Sequence, residues 1–219
     1  MDIIKEACVE GYQEAIQAKK LGADRIELCS SLNEDGLTPD RNTITSVLNA
    51  TTIPVKIMIR PRPGNFIYNQ KEIFQMESDI SFCKKQGIKE VVFGCLDSKK
   101  RVDIVTLKRL ANISYPMKIT FHKAIDHTHN IFVEMDSLVK CRVVDSVLTS
   151  GESRFVLKKK RLLIKILKHF KDKLNIILAG GINQNNFDTI HQVFQWNEYH
   201  GRKIVGNLRN TTKKLVKNL

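Results

Sequence analysis

Two arginines stand at the end of an apolar run, Ile57-Met58-Ile59-Arg60-Pro61-Arg62-Pro63-Gly64. The run is rich in β-formers. Proline fixes φ and removes a backbone donor, so Pro61 and Pro63 end the strand and stiffen its exit. Gly64 permits a sharp turn. A rigid loop carrying Arg60 and Arg62 suits a bound anion or carboxylate, and it equally suits a structural ion pair at a strand end. Other apolar runs also finish on reactive residues: Glu6-Ala7-Cys8, Glu27-Leu28-Cys29, Gly94-Cys95-Leu96-Asp97, His122-Lys123 with Asp126 close behind, Thr149-Ser150-Gly151, Gly180-Gly181 and His200. Side chains alternate along a strand, so Glu6 shares a face with Cys8 and Glu27 with Cys29. If those faces meet, one pocket holds two carboxylates, two thiols, an arginine and a histidine. Such a set suits acid–base chemistry or a soft metal ion.

The elements that must position these residues repeat as one unit, a short apolar strand followed by a helical stretch. Strands are expected over 3–8, 25–29, 55–60, 90–95, 117–122, 146–149 and 175–179, with a weak eighth over 198–200. Helical stretches are expected over 10–20, 43–48, 71–86, 104–111, 130–139, 155–170 and 187–194. Alternating strands and helices argue for a parallel sheet, because parallel strands need crossover connections. Eight such units predict an α/β fold, a closed TIM (β/α)8 barrel that is short and has a compressed eighth unit. An open doubly wound sheet is the alternative, and the lack of GxGxxG after the first strand counts against its dinucleotide-binding form. In a barrel the functional groups sit at the C-terminal ends of the strands.

A chain of 219 residues suits one domain, taken as 1–219. Its five cysteines show no disulfide-framework or CxxC spacing, which points to a reducing, cytoplasmic setting. The first strand starts at the N-terminus, which leaves no room for a signal peptide, and no apolar run approaches a membrane span of about 18 residues. The formal charge is +13, and much of it lies between Lys158 and Lys171. That stretch has the pattern of a barrel helix with a solvated lysine face. It lacks the interleaved aromatics of a nucleic-acid site, and neither nucleic acid nor membrane is expected as a partner.

The motifs Glu27-Leu28-Cys29, Gly36-Leu37-Thr38-Pro39, Ile59-Arg60-Pro61-Arg62, Thr120-Phe121-His122-Lys123-Ala124-Ile125-Asp126 and Leu148-Thr149-Ser150-Gly151 fall in one order along the chain. Together they make it resemble the CutC family of copper homeostasis proteins. The match departs at Lys123 and Ile125, where the family has Arg and Phe, at Pro63 and Asn65 (usually Gly and Asp), and at His200-Gly201. The resemblance implies a TIM barrel, a cytoplasmic setting, a homodimer, and Cu(I) held by Cys8 and Cys29. A second reading rests on the charged strand ends: a barrel enzyme acting on a small anionic or phosphorylated metabolite. In it Glu6, Glu27, Arg60, His122 and Asp126 would be the catalytic groups. Arg62, Asp97, Ser150, Gly180, Gly181 and His200 would bind the substrate. Both readings stand at this point.

Overall fold

The computed structural model describes residues 2–209; Met1 and 210–219, the rest of the expected domain, lie outside the described residues. Eight strands pair in parallel in chain order: β1 (Ile4–Glu10), β2 (Arg25–Cys29), β3 (Val55–Met58), β4 (Glu90–Phe93), β5 (Lys118–Phe121), β6 (Ser146–Thr149), β7 (Asn175–Leu178) and β8 (Glu198–Gly201). β8 pairs back onto β1, with Glu6 opposite His200, so the sheet is a closed barrel. The crossovers are α1 (Tyr12–Lys20), α2 (Arg41–Ala50), α3 (Gln70–Lys85), α4 (Ile104–Ser114), α5 (Ile131–Cys141), α6 (Lys160–Phe170) and α7 (Phe187–Phe194). Among the described residues β8 leads into turns and not a helix, the compression expected of the eighth unit.

Local chemistry explains most boundaries. Asp40, Asn69 and Asp103 cap α2, α3 and α4 by accepting from backbone N–H groups in the first turn, and Glu72 completes a capping box with Asn69. Several expected boundaries move, β4 ending at Phe93 and α4 running to Ser114 among them. β1 runs to Glu10, past the expected 8, until Gly11 turns the chain. β3 stops at Met58 and not at Arg60; the Ile59 N–H still donates to Val92 O, and Pro61 then prevents further pairing. The stretch 155–170 divides into a 3₁₀ turn at Val156–Lys159 followed by α6.

The strands carry two different cores. Their outward residues, such as Ile26, Leu28, Ile57, Phe93, Phe121, Leu178 and Tyr199, pack under the helices in one continuous apolar layer. α6 joins that layer through Leu163, Ile166, Leu167 and Phe170 while Lys165 and Lys168 face solvent. The basic helix is therefore a barrel helix with a solvated face.

The inward residues are largely polar. At the lower level each strand supplies one: Glu6, Arg25, Lys56, Glu90, Thr120, Ser146, Asn175 and Glu198. Lys56 Nζ reaches Glu6 Oε2 at 3.2 Å, Glu90 Oε1 at 2.8 Å and Thr120 Oγ1 at 3.0 Å. The Arg25 guanidinium bridges Glu6 and Glu198, with Nη2 2.6 Å from Glu198 Oε2. Asn175 Nδ2 donates to Glu198 Oε1 at 2.7 Å and Ser146 Oγ at 3.2 Å. The result is a hydrogen-bonded plug across the barrel floor.

Lys56 is 1% exposed and Glu6 1% exposed. Removing one partner of such a buried pair leaves an uncompensated charge, at a cost of about 3–5 kcal/mol. Lys56→Met should lower the urea midpoint of unfolding by that order, and adding Glu6→Gln to the same chain should recover part of the loss.

Candidate functional site

One level above the plug the inward residues are Cys8, Glu27, Met58, Val92, His122, Leu148, Ile177 and His200. Half of this layer is apolar; three of the other four, Cys8, Glu27 and His200, lie on the adjacent strands β1, β2 and β8, where the reactive groups meet. His200 Nδ1 lies 2.9 Å from Glu6 Oε1, and its Nε2 lies 3.6 Å from Glu27 Oε2. Cys8 Sγ lies 3.9 Å from Cys29 Sγ, which is itself 3.7 Å from Glu27 Oε2. Glu6, Glu27 and Cys29 are almost fully buried, and Cys8 is 8% exposed.

This packing divides the protons unevenly. Burial drives the Glu6 carboxyl up, but Lys56, His200 and Arg25 outweigh it and hold Glu6 well below the usual carboxylate range. Among the described residues Glu27 has a single cationic neighbour of this set at contact, His200 at 3.6 Å. Burial pushes it up to about 8, against the pull of His200 and with the help of the Cys8 and Glu6 charges. Burial alone would strip the proton from His200; the carboxylates of Glu27 and Glu6 and the Cys8 sulfur raise its pKa instead. The Cys29 thiol contact lowers Cys8 to about 5 against burial, with His200 assisting, and the same contact together with burial raises Cys29. Cys29 therefore holds its proton more tightly than Cys8.

His122 sits across the mouth, at the end of β5. Burial, then the Arg60 charge, press its imidazole down to about 3, so it is neutral at ordinary pH. The Ala124 N–H donates to Nδ1 at 3.2 Å, which leaves the proton on Nε2. The ring lies so close to Gly94 that a Cβ there would fall 2.6 Å from Nδ1. Among the described residues neither His122 Nε2 nor Glu27 Oε1 has a hydrogen-bond partner.

A cavity of about 420 Å³ opens above this layer. Of the residues singled out in the sequence, Cys8, Glu27, Arg60, His122, Gly180, Gly181 and His200 line it. Cys29, paired opposite Glu10, is buried and does not line the cavity, and Glu6 belongs to the plug. The remainder are not brought to the cavity. Asp126 accepts from Thr149 Oγ1 at 2.5 Å and from the Ser150 N–H and Oγ at 2.9 and 2.8 Å, fastening the segment after β5 to the end of β6. Ser150 is thus committed to Asp126 and not to a substrate. Asp97 binds the Arg101 guanidinium and the N–H groups of Lys99 and Arg101.

The arginine pair is divided as well. Arg62 Nε meets Glu72 Oε1 at 2.6 Å, and its Nη atoms donate to the carbonyls of Pro63, Asn65 and Ile67. Arg60 is 3% exposed, with Nη1 donating to Glu34 O and Gly36 O and Nη2 to Gly64 O. It fastens the loops after β2 and β3 and brings positive charge to the cavity. Only Arg60 of the two could act on a bound anion. Sequence reasoning missed Arg25, Lys56, Glu90 and Glu198 below the site, and Arg154 and Lys203 on the cavity wall. Lys56 carried a signal: a charge at an inward position between apolar neighbours.

The CutC family sequence profile matches residues 3–205. The chain belongs to the CutC family. It is 33% identical to a CutC family protein of Mesorhizobium japonicum over 195 residues, covering 89% of this chain and 75% of that one. The human relative, named a copper homeostasis protein cutC homolog, is 34% identical over 90% of this chain and 72% of its own length. A CutC crystal structure from Streptococcus agalactiae superposes with a TM-score of 0.86 at 27% identity, covering 92% of this chain and 99% of that one. An aldolase named QR15 follows the same barrel with a TM-score of 0.66, at 11% identity over 93% of this chain and 91% of its own, which speaks for fold alone.

The raised pKa of Glu27 sets the sign of one pH effect in this CutC barrel. A carboxyl that titrates near 8 when folded and near 4.5 when free supports folding fully below the free value. That support is lost as pH rises through the folded value. Glu27→Gln removes the titration. The variant should therefore gain stability relative to wild type by up to about 1.4 kcal/mol per pH unit between pH 5 and 8, as read from urea midpoints at each pH. A difference that stays flat over that window would mean that Glu27 is ionised in the fold.

Proposed function

We propose that this CutC protein binds Cu(I) through Cys8 and Cys29 at the barrel mouth. The observation that carries the reading is the thiol pair itself: two soft donors 3.9 Å apart, on adjacent strands, with Cys8 opening on the cavity. The separation is less than two metal–thiolate bonds of about 2.3 Å each, so both sulfurs can reach one ion. Thiolate suits Cu(I), whereas the second cluster able to hold an ion, Glu6, Glu27 and His200, offers harder donors. Within that cluster Glu6 is already committed to Lys56 and Arg25.

The residues around the pair supply what a soft-metal site needs. Cys8 is held as a thiolate by Cys29 and His200. The Cys29 thiol, raised by its contact with Cys8 and by burial, must release its proton when it becomes a ligand, and it contacts Glu27 Oε2 at 3.7 Å. Val92, Met58 and Leu32 pack around the sulfurs and exclude water on one side. A copper ion in this setting would be cargo or a tightly held ligand, held by the two sulfurs. The reading extends to a cytoplasmic homodimer: exposed Phe74, Val105 and Val133 on consecutive helices α3, α4 and α5 offer an apolar face for a second copy.

An anaerobic competition titration with a strong Cu(I) chelator tests the proposal on wild type and on Cys8→Ser, Cys29→Ser. Wild type should take one ion tightly and the double variant should lose at least a hundredfold in affinity. Because Cys29 must lose a proton, wild-type affinity should also rise with pH between 6 and 8. Equal binding by the two proteins would overturn the assignment.

A further inference from the structure

The cavity is larger than a thiol pair requires. About 420 Å³ falls within the range of small-molecule sites, and Cys8 occupies one side of it. A second part of the lining is built from the segments after β6, β7 and β8, which the copper reading does not use.

That wall presents donors without acceptors. Gly180 O accepts from the Val156 N–H at 2.9 Å, and Gly181 O accepts from Asn186 Nδ2 at 2.9 Å and Asn183 Nδ2 at 3.2 Å. In a trans peptide the N–H points opposite to the C=O. The N–H groups of Gly181 and Ile182 are therefore turned away from those partners, and no hydrogen bond among the described residues engages them. A side chain at residue 181 would meet Phe155 at 2.7 Å, so glycine keeps this backbone accessible. Arg154 and Lys203 stand on the same wall, and neither forms a salt bridge among the described residues. Elsewhere on the lining, buried His122 Nε2 and Glu27 Oε1 also lack partners. A buried polar atom left unsatisfied costs about 1–3 kcal/mol, so both atoms favour a polar occupant.

We propose that the cavity binds a small phosphomonoester, with its phosphate on the Gly181–Ile182 turn between Arg154 and Lys203 and its organic part reaching His122 and Glu27. Two backbone donors and two cations from different loops share this lining. A phosphate group, with three terminal oxygens and a charge of about −1.5 to −2 near neutral pH, engages all four; a planar carboxylate engages fewer. Loops after the seventh and eighth strands are also where barrels of this kind place phosphate. The neutral His122 offers an N–H to a hydroxyl or carbonyl of the ligand, and its lack of charge leaves the anion to the cationic wall. The two orphaned atoms thus fix which end of the ligand faces the thiols.

Isothermal titration calorimetry at constant ionic strength tests this on the full chain, reduced and freed of metal by a chelator. The outcome is thereby separate from that of the copper titration. The probes are inorganic phosphate, glycerol 3-phosphate, glycerol and acetate. Phosphate and glycerol 3-phosphate should bind saturably and compete, with the ester tighter; glycerol and acetate should not bind. Arg154→Met with Lys203→Met should weaken both phosphates at least tenfold with an unchanged melting temperature, because both side chains are exposed. Absence of saturable phosphate binding, binding unaffected by the double variant, or acetate binding as tightly as phosphate would each overturn the proposal.

Discussion

The floor of this barrel is a largely buried charge network. Glu6, Arg25, Lys56, Glu90 and Glu198 come from five different strands, and Thr120, Ser146 and Asn175 fill the remaining places. Such a network is tolerable only when every member is satisfied, because an unpaired charge at this depth is severely penalised. Its members lie on strands far apart in sequence, so the network specifies strand register. A slip of one residue in any strand would turn that strand's charge into the apolar layer beneath the helices.

The mouth inherits its electrostatics from that floor. Glu6 belongs to both levels: Oε2 faces Lys56 and Arg25, while Oε1 holds His200. The cations below make Glu6 a strong anion, the anion helps keep His200 charged, and the charged imidazole helps keep Cys8 a thiolate. Glu27, one position along β2, lies 3.6 Å from His200 but outside the floor, and its carboxyl is raised to about 8. Two glutamates that look alike in sequence therefore differ in role. Glu6 is tied to the floor and to His200, and Glu27 faces the cavity.

The closed eight-unit barrel and the inward faces of the first two strands were legible because strand periodicity is a local property. Glu6 with Cys8, and Glu27 with Cys29, follow from alternation alone once the strands are recognised. Arg60 and Arg62 were not separable that way. Their partners are loop carbonyls and Glu72, and loop conformation is decided by tertiary packing. Asp126 and Ser150 looked like cavity residues by position, yet they satisfy each other. Arg154 and Lys203 had no local signal at all, since a chain with 36 lysines and arginines surrounds them with others that only face solvent.

The thiol corner and the cationic wall share one cavity but draw on different physics. Thiolate ligation depends on short-range sulfur contacts made in an apolar lining, and it is insensitive to the distant rim. The wall depends on unscreened positive charge from Arg154 and Lys203 and on fixed backbone dipoles, and salt weakens the first more than the second. Arg60, buried and held by carbonyls without a carboxylate partner among the described residues, adds positive potential to both. An anion in the cavity would reduce that potential at Cys8, making the thiolate harder to form beside it. Copper uptake exchanges one positive charge, the Cys29 proton, for another, so the thiol corner keeps its net charge and the two sites are nearly independent by Coulomb's law.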